Sequence, residues 1–435
     1  MKFHLTRKND TVIRYLFISA MVFLFIIFIY KFIVCPEGSA GEVFFLRGSN
    51  FMADFHNVVR YAKDRNPYWY GLIDSNNMEH AYFPLSYLLL YPFSRFAATH
   101  IADANSGINN FQEQINALIF TTFSVLIFFS SLVTLSSSEN SEEKHPFAIV
   151  FPLFLSGIML FSIERGNLIV LTVAFCTFFL AEYRSKSAVM RELSYIALAL
   201  AAALKGYPAL LGILLLYDKQ WFRAMRLVIY GIIATIVPFF CFKGGLANIS
   251  LLIENVKANG DYYGTISYHR FSFRFFTTTS ILSNGVNDVL NQIMPTIDLL
   301  IAIILILSVP FMKQNWQKIL NLMLVIVMIP TNSAEYCGLY LFPVIISFLS
   351  QKDHKRTDYF YLLLFLIILN PAQKAIDITN QYGTTHLNVT FALVNIATYI
   401  LYIVMAIIGI ISIVKYVISK TKKTNEKPIS SEAHA

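Results

Sequence analysis

The sequence predicts an all-α fold, a polytopic bundle of about 12 transmembrane helices within a range of roughly 10–13. Three observations predict it. Of the 435 residues, 56% are hydrophobic and only 14% are charged, against about 25% charged in an ordinary soluble protein. The apolar residues fall in long runs between short polar breaks, and mean hydropathy is +0.57. A chain crossing lipid must satisfy its backbone groups internally, so runs of this length are helices. Finally, Lys and Arg gather in alternate breaks, as they do in loops kept in the cytoplasm. The alternation of a transmembrane barrel is absent.

Taken in order, the first span is residues 12–34. Lys2, Arg7, Lys8 and Arg14 precede its apolar run of about 20 residues to Val34, which places the N-terminus inside. The run is too long for a signal peptide, and no small-residue cleavage site follows closely. Residues 35–114 form a first outer loop carrying interfacial helices. In 51–64, Phe51, Phe55, Val58, Val59 and Ala62 make one helical face and Asp54, Asn57 and Tyr61 another, the pattern of a helix lying along the membrane surface. Arg60 and Asp64 are spaced for a helix pair. Asn66-Pro67 ends the helix, since the residue before proline avoids helical geometry. Residues 83–98 are apolar but interrupted by Pro84 and Pro92. They fall short of the ~20 residues a crossing needs and read as interfacial or re-entrant.

Further spans are expected near 115–137, 147–163, 168–183, 193–206, 207–217, 226–243, 296–312, 318–331, 338–350, 359–370 and 388–417. The two pieces flanking Lys205-Gly206 are short, and a helix broken there is tolerable only where its backbone lines protein or water. Residues 244–295 form a second outer loop rich in Tyr and Phe. The breaks with Arg184/Lys186/Arg191, Lys219/Arg223/Arg226, Lys313/Lys318 and Lys352/Lys355/Arg356 face the cytoplasm under the charge rule. Residues 420–435 read as a basic, disordered cytoplasmic tail. The expected location is the inner (plasma) membrane, multi-pass, with both termini cytoplasmic.

The net charge of +8 follows this topology and is no nucleic-acid footprint. No internal repeat of the transporter kind is evident, and no zinc-type Cys/His spacing occurs. Cys176 and Cys241 lie within apolar segments and read as packing residues. Cys35 and Cys337 fall on the outer side, but spacing alone does not pair them. No cofactor is expected. No carboxylate cluster demands a metal, though a divalent ion stays open, as does the oligomeric state.

The unusual polar residues collect on the outer side. Asp54, on a surface helix, has the chemistry of a general base, though spacing alone favours an ordinary surface Asp. Glu164-Arg165-Gly166-Asn167 joins two apolar runs with almost no linker. Ionisable groups so near hydrocarbon are costly and are usually paired or functional; a local Glu–Arg pair beside a Gly-Asn turn is the plainer alternative. Lys205, beside Gly206, Tyr207 and Pro208, is placed to meet a phosphate or to snorkel to headgroups. Tyr82-Phe83-Pro84 and Asn66-Pro67-Tyr68 are aromatic-proline turns, which alone would serve as interface anchors. His269 and Arg270 offer further cations in the second outer loop, and Glu335 and Tyr336 sit at a short outer break.

In order and spacing, Asp54 in MADFHNVVRYA, Asn66-Pro67-Tyr68, Tyr82-Phe83-Pro84-Leu85, Glu164-Arg165-Gly166-Asn167 and Leu204-Lys205-Gly206-Tyr207-Pro208 resemble the polytopic GT-C glycosyltransferases, and within them glycosyltransferase family 87. The likeness covers roughly residues 45–215; beyond it the match is one of general hydropathy, with a loose likeness at 333–343. Phe83 stands where the family more often has a second proline. The resemblance implies a GT-C-like membrane domain over 1–419 and a mannosyltransferase-like enzyme of cell-envelope glycan biosynthesis. Its donor would be a polyprenyl-phosphate-linked sugar and its acceptor a lipid-linked or surface glycan at the non-cytoplasmic face. It implies Asp54 as the base, since a carboxylate of the first outer loop serves so in GT-C enzymes. Lys205 or Arg165 would stabilise the departing phosphate. Glu164, Asn167, Tyr82, Tyr207, His269, Arg270 and Glu335 would bind substrate or shape the site. One base and direct displacement predict inversion. A flippase for lipid-linked sugars and a non-catalytic assembly factor remain open alternatives.

Overall fold

The computed structural model describes residues 2–34, 52–69, 80–95, 111–139, 145–265, 284–328, 334–372, 375–380 and 383–425. They form sixteen α-helices. These are α1 (Lys2–Val34), α2 (Ala53–Ala62), α3 (Pro84–Ser94), α4 (Phe111–Glu139), α5 (Pro146–Val150), α6 (Gly157–Arg165), α7 (Ile169–Glu182) and α8 (Ala188–Lys205). There follow α9 (Ile213–Tyr217), α10 (Trp221–Ile236), α11 (Asn248–Thr265), α12 (Asn284–Ser308), α13 (Asn315–Met328), α14 (Phe342–Ser350), α15 (Asp358–Leu369) and α16 (Val389–Asn425).

Among the described residues, five helical stretches are long and apolar enough to cross a membrane: Asn9–Val34, Gln112–Glu139, Trp221–Cys241, Gln292–Phe311 and Ala392–Thr421. A sixth arises if Pro146–Leu155 and Gly157–Arg165, bent by 66°, make one broken span. Five shorter apolar helices, such as Ile169–Glu182 and Asn315–Met328, complete the bundle. Exposed apolar side chains such as Phe23, Ile26, Ile232, Leu299 and Ile407 cover the long helices where lipid is their solvent.

The core is a stack of helices: α4 lies along α7, α7 along α8, and α8 along α10, while α12 and α15 flank α16. Trp316 is buried between Phe348 and Tyr361, with ring centroids 5.1 and 4.9 Å away. Close helix approach in an apolar solvent needs small residues and internal polar links. Both occur here. A Cβ on Gly409 would meet Ser308 Oγ at 2.8 Å, and Asn321 Nδ2 donates to Leu305 O at 3.2 Å and Ser308 Oγ at 2.9 Å. Helix α1 is tied down at its N-terminal part. Asp10 accepts from the backbone of Asp353 and His354, and Arg14 Nε donates to Leu349 O at 2.8 Å.

Several expectations are refined. The helix expected at 51–64 runs Ala53–Ala62, and Asp54, Phe55, His56, Val58, Val59, Tyr61 and Ala62 are all buried. It is enclosed by protein rather than lying on the surface. Because it stops at Ala62, Arg60 and Asp64 form no ion pair among the described residues. The segment expected at 83–98 is the eleven-residue helix α3, too short to cross (~16 Å). The segment expected as a second outer loop, 244–295, contains α11, and α12 already starts at Asn284. Helix α16 continues through the lysines at 420, 422 and 423 to Asn425, so the basic stretch expected as a tail is helical that far. Cys241, at the end of the apolar stretch Trp221–Cys241, is exposed rather than packed. An addition to the helical fold is a small antiparallel hairpin, Ala375–Asn380 with Gly383–Asn388, in which Ala375 faces Asn388 and Asn380 faces Gly383.

The segments that follow α2 are locked to the start of α11. Asn66 Nδ2 donates to Asn248 Oδ1 at 2.9 Å, Asn255 Nδ2 to His80 O at 3.3 Å, and the Lys243 amide to Arg65 O at 2.7 Å. The start of α11 therefore fixes the chain that follows α2.

Candidate active site

The ends of α6 and α8, the starts of α2, α3 and α7, and the 3₁₀ turn Glu335–Leu341 come together at one end of the bundle. Chain chemistry explains each ending. Helix α6 stops because Gly166 takes a left-handed conformation (φ 60°) and its amide bonds back to Ile163 O and Ser162 O, a C-cap that glycine supplies without strain. Asn167 then caps α7, its Oδ1 accepting from the Ile169 amide at 2.8 Å. Helix α8 stops at Gly206 (φ 65°) with Pro208 next in a 3₁₀ turn. Lys205 sits in the last turn, where the helix dipole favours a cation.

Asp54 occupies the first turn of α2, where the dipole favours an anion. Its carboxylate is held on both oxygens. Arg165 donates to Oδ1 through Nε at 3.0 Å and also through Nη2, and Asn167 Nδ2 donates to Oδ2 at 2.6 Å. The carboxylate side chain is 10% exposed and the guanidinium 21%. Such charge-assisted bonds fix a carboxylate in direction. Just before it, Met52 has φ 54°, an uncommon conformation for a side-chain-bearing residue. Its amide donates to Glu164 O at 2.6 Å. The Glu-Arg-Gly-Asn run thus grips the start of α2 by backbone and by side chain.

Gly166 has a second reason to lack a side chain. An added Cβ would stand 2.9 Å from Met52 Sδ and 3.1 Å from Phe55 Cβ. Gly166→Ala is expected to destabilise the protein by about 1–3 kcal/mol and to lower activity by displacing Asp54. Gly231→Ala, where nothing lies within 4 Å, is expected to be neutral or slightly stabilising, as helical Gly→Ala changes are. Thermal unfolding of the two variants side by side checks this.

Lys205 reaches the same cluster from the other side. Its ammonium lies 4.8 Å from the Tyr82 ring centroid and within the field of Asp54. Among the described residues it makes no hydrogen bond or ion pair. Phe83 covers Gly206, whose Cβ would approach the Phe83 ring to 3.3 Å, and Ser86 Oγ donates to Leu204 O at 3.5 Å. The start of α3 is thereby fastened on the end of α8, which places Tyr82 against Lys205. Tyr207 packs edge-on to Tyr340 at 5.8 Å. Tyr336 stacks on Phe161 at 6.0 Å and interacts electrostatically with Asp54, Arg165 and Tyr82.

Of the residues singled out from sequence, Asp54, Arg165, Asn167, Lys205 and Tyr82 are thus brought together, with Glu164 and Glu335 buried at 2% and 7% exposure on the same segments. Arg165 directs Nε and Nη2 to Asp54. His269 and Arg270 lie outside the described residues. Tyr336 and its partner Phe161 carry more of the site than the sequence indicated, and Phe161 gave no signal because an apolar run does not mark which aromatic faces a site. Cys337 is a buried free thiol. Among the described residues no group of three or more His, Cys, Asp and Glu is arranged around a metal position.

His56, on α2 outside the membrane-spanning segments, adds a pH dependence. Burial, reinforced by the Arg60 charge, lowers its pKa from 6.5 to about 4. The folded state therefore resists protonation that the unfolded chain accepts below pH 6.5. Its stabilising effect is complete above that pH and is lost as pH falls toward 4. Stability is expected to drop by on the order of 2 kcal/mol between pH 7 and pH 5. The drop should shrink in His56→Phe when unfolding is followed at both pH values; an equal drop in the variant would assign it elsewhere.

The family model described as glycosyltransferase family 87 matches residues 80–331, more than half of the chain. The chain belongs to glycosyltransferase family 87. No curated protein and no solved structure gives a significant match. The family 87 segment takes in Tyr82, Glu164–Asn167 and Lys205–Pro208 and extends well beyond residue 215, into α13. Asp54 precedes it, so its importance rests on the contacts that Arg165 and Asn167, both inside the matched segment, make with it. A family 87 protein with several membrane-crossing helices is a membrane glycosyltransferase.

Proposed function

We propose that this glycosyltransferase moves a sugar from a polyprenyl-phosphate-linked donor to a hydroxyl of a lipid-linked or cell-surface glycan, at the non-cytoplasmic face of the inner membrane, by direct displacement. The observation that carries the reading is the Asp54 carboxylate, oriented by Arg165 and Asn167 in the field of a Lys205 ammonium that has no anionic partner in hydrogen-bond range among the described residues. A fixed anion beside an uncompensated cation suits a reaction that takes a proton at one end and releases a phosphate at the other.

Asp54 accepts the acceptor hydroxyl proton as that oxygen attacks the anomeric carbon. The glycosyl C–O bond breaks and its electron pair leaves with the polyprenyl phosphate. A phosphate monoester needs charge stabilisation more than protonation, and Lys205 supplies it as a preorganised cation. Arg165 is a positioning residue that holds Asp54, while its remaining Nη1 is available to the phosphate or the sugar. Tyr82, Tyr207 and Tyr336 offer aromatic faces and hydroxyls for the sugar ring. Glu164 and Glu335 are the carboxylates next in line for the base, and His269 and Arg270 remain proposed donor contacts. The purified protein is expected to transfer label from a polyprenyl-phosphate sugar panel and not from the corresponding nucleotide sugars. Transfer from a nucleotide sugar alone would overturn the donor assignment, and movement of lipid-linked sugar across vesicles without transfer would point to a flippase.

A further inference from the structure

Helix α7 leads away from Asn167 through 14 residues, roughly 21 Å at the helical rise. At that opposite end of the bundle, Tyr183, Arg184, Leu215, Asp218, Gln220 and Arg223 line a cavity of about 330 Å³. Three segments meet there: the α7–α8 turn, the end of α9 and the first turn of α10. The site described above takes no part in it.

The charges of this cavity are unevenly satisfied. Arg184 holds Asp218 through two parallel bonds, Nε to Oδ2 at 2.7 Å and Nη2 to Oδ1 at 2.6 Å, so the cavity's carboxylate is neutralised in place. Nearby, Arg226 is paired with Glu192 at 2.6 Å, and Arg191 Nη1 donates to Ser185 O at 2.9 Å. Arg223 differs. Among the described residues its guanidinium makes no hydrogen bond or ion pair, yet Arg223 lines the cavity together with Gln220. The lining carries a net positive charge and a neutral donor.

The surroundings indicate the source of a matching anion. Helix α10 starts with Trp221 and Phe222, 63% and 81% exposed. It buries only Ala224 and Leu227 and presents Met225, Val228, Ile229 and Ile232 outward. A helix with an apolar outer face and aromatics at its end lies in lipid with that end at headgroup level. Basic pockets between membrane helices at that level bind anionic headgroups.

We propose that this cavity binds the phosphate of an anionic phospholipid, with Arg223 as the cation that meets it, Arg184 as a second cation held by Asp218, and Gln220 as a neutral donor. The bound lipid joins the α7–α8 turn to α10 and makes this end of the bundle sensitive to membrane composition.

The full-length protein in phosphatidylcholine vesicles containing a minor fraction of phosphatidylglycerol tests this through the fluorescence of Trp221, with a Trp221→Phe protein subtracting the other tryptophans. Brominated phosphatidylglycerol is expected to quench Trp221 with an apparent preference of about fivefold over brominated phosphatidylcholine, the scale of one Arg near a charged surface. The preference is expected to vanish in Arg223→Gln and to persist in Arg191→Gln. Equal quenching by the two lipids in the wild type overturns the site. A preference that survives Arg223→Gln reports general surface attraction and overturns the cavity assignment. Inorganic phosphate distinguishes the two sources of the anion. If it raises the unfolding midpoint in pure phosphatidylcholine through Arg223 while phosphatidylglycerol does not, the ligand is soluble phosphate and the lipid reading fails.

Discussion

Asp54→Asn is expected to lower sugar transfer by roughly 10²–10⁴-fold, the range for loss of a positioned base, with the fold and donor affinity retained. The side chain keeps its size, and its amide oxygen can still accept from Arg165, while the amide nitrogen takes the place of the oxygen to which Asn167 donates. What disappears is the negative charge that takes the proton. The effect is expected in kcat rather than in donor KM, because the proton moves only as the acceptor attacks. Arg165 makes the prediction sharper. Its Nε lies 3.0 Å from Oδ1, so Arg165→Gln should also reduce kcat by misdirecting Asp54, and the double variant should lose little beyond Asp54→Asn alone. Residues that act as one unit are non-additive in this way. Additive losses would separate the two roles.

Lys205→Met is expected to cost roughly 10²–10³-fold in kcat, comparable to removing one preorganised charge-stabilising donor. Methionine keeps an unbranched apolar stem one atom shorter than that of lysine, so the space beside Tyr82 stays largely filled while the charge over its ring is lost. Lys205→Arg should recover part of the rate if the cation meets a phosphate. A lysine that merely snorkelled to headgroups would tolerate either change. Steady-state kinetics with a short-chain polyprenyl-phosphate sugar checks this, with leaving-group dependence as the second readout. Donors whose lipid phosphate leaves less readily should suffer more from Lys205→Met, whereas a structural role would affect all donors alike.

The helical class and the chemistry-bearing positions could be read from the chain in one dimension. Gly166, Gly206 and Pro208 interrupt apolar runs, and Glu164, Arg165 and Lys205 are charges beside hydrocarbon; both are visible without a fold. What they do to each other was not. Arg165 and Asp54 are 111 residues apart, and spacing suggested only a local Glu–Arg pair or a phosphate cation. The enclosure of α2 escaped because its pattern is that of a helix on the membrane surface, whereas Asp54 is bonded to the residues that end α6 and Tyr61 packs on His80. Cys241 shows the opposite limit: in a bilayer, lipid is as apolar as a core, so an apolar run does not separate lipid-facing from packed positions. The hairpin at 375–388 lay between expected spans, where short alternating segments carry a weak signal.

The site also shows how local backbone geometry orients a carboxylate near a membrane. A glycine that accepts φ 60° brings the α6–α7 junction within contact of Met52 and Phe55, and the residues on either side of that glycine then orient one carboxylate. Neither Arg165 nor Asn167 would reach Asp54 if α6 continued straight into α7.

The anomeric configuration of the product tests the central claim most directly. A polyprenyl-phosphate donor of known anomeric configuration is supplied to the wild-type protein with an acceptor glycan, and the new linkage is assigned by NMR. Direct displacement with Asp54 as sole base predicts the opposite configuration in the product. Retention would require a covalent glycosyl intermediate or a second displacement, and would contradict the account.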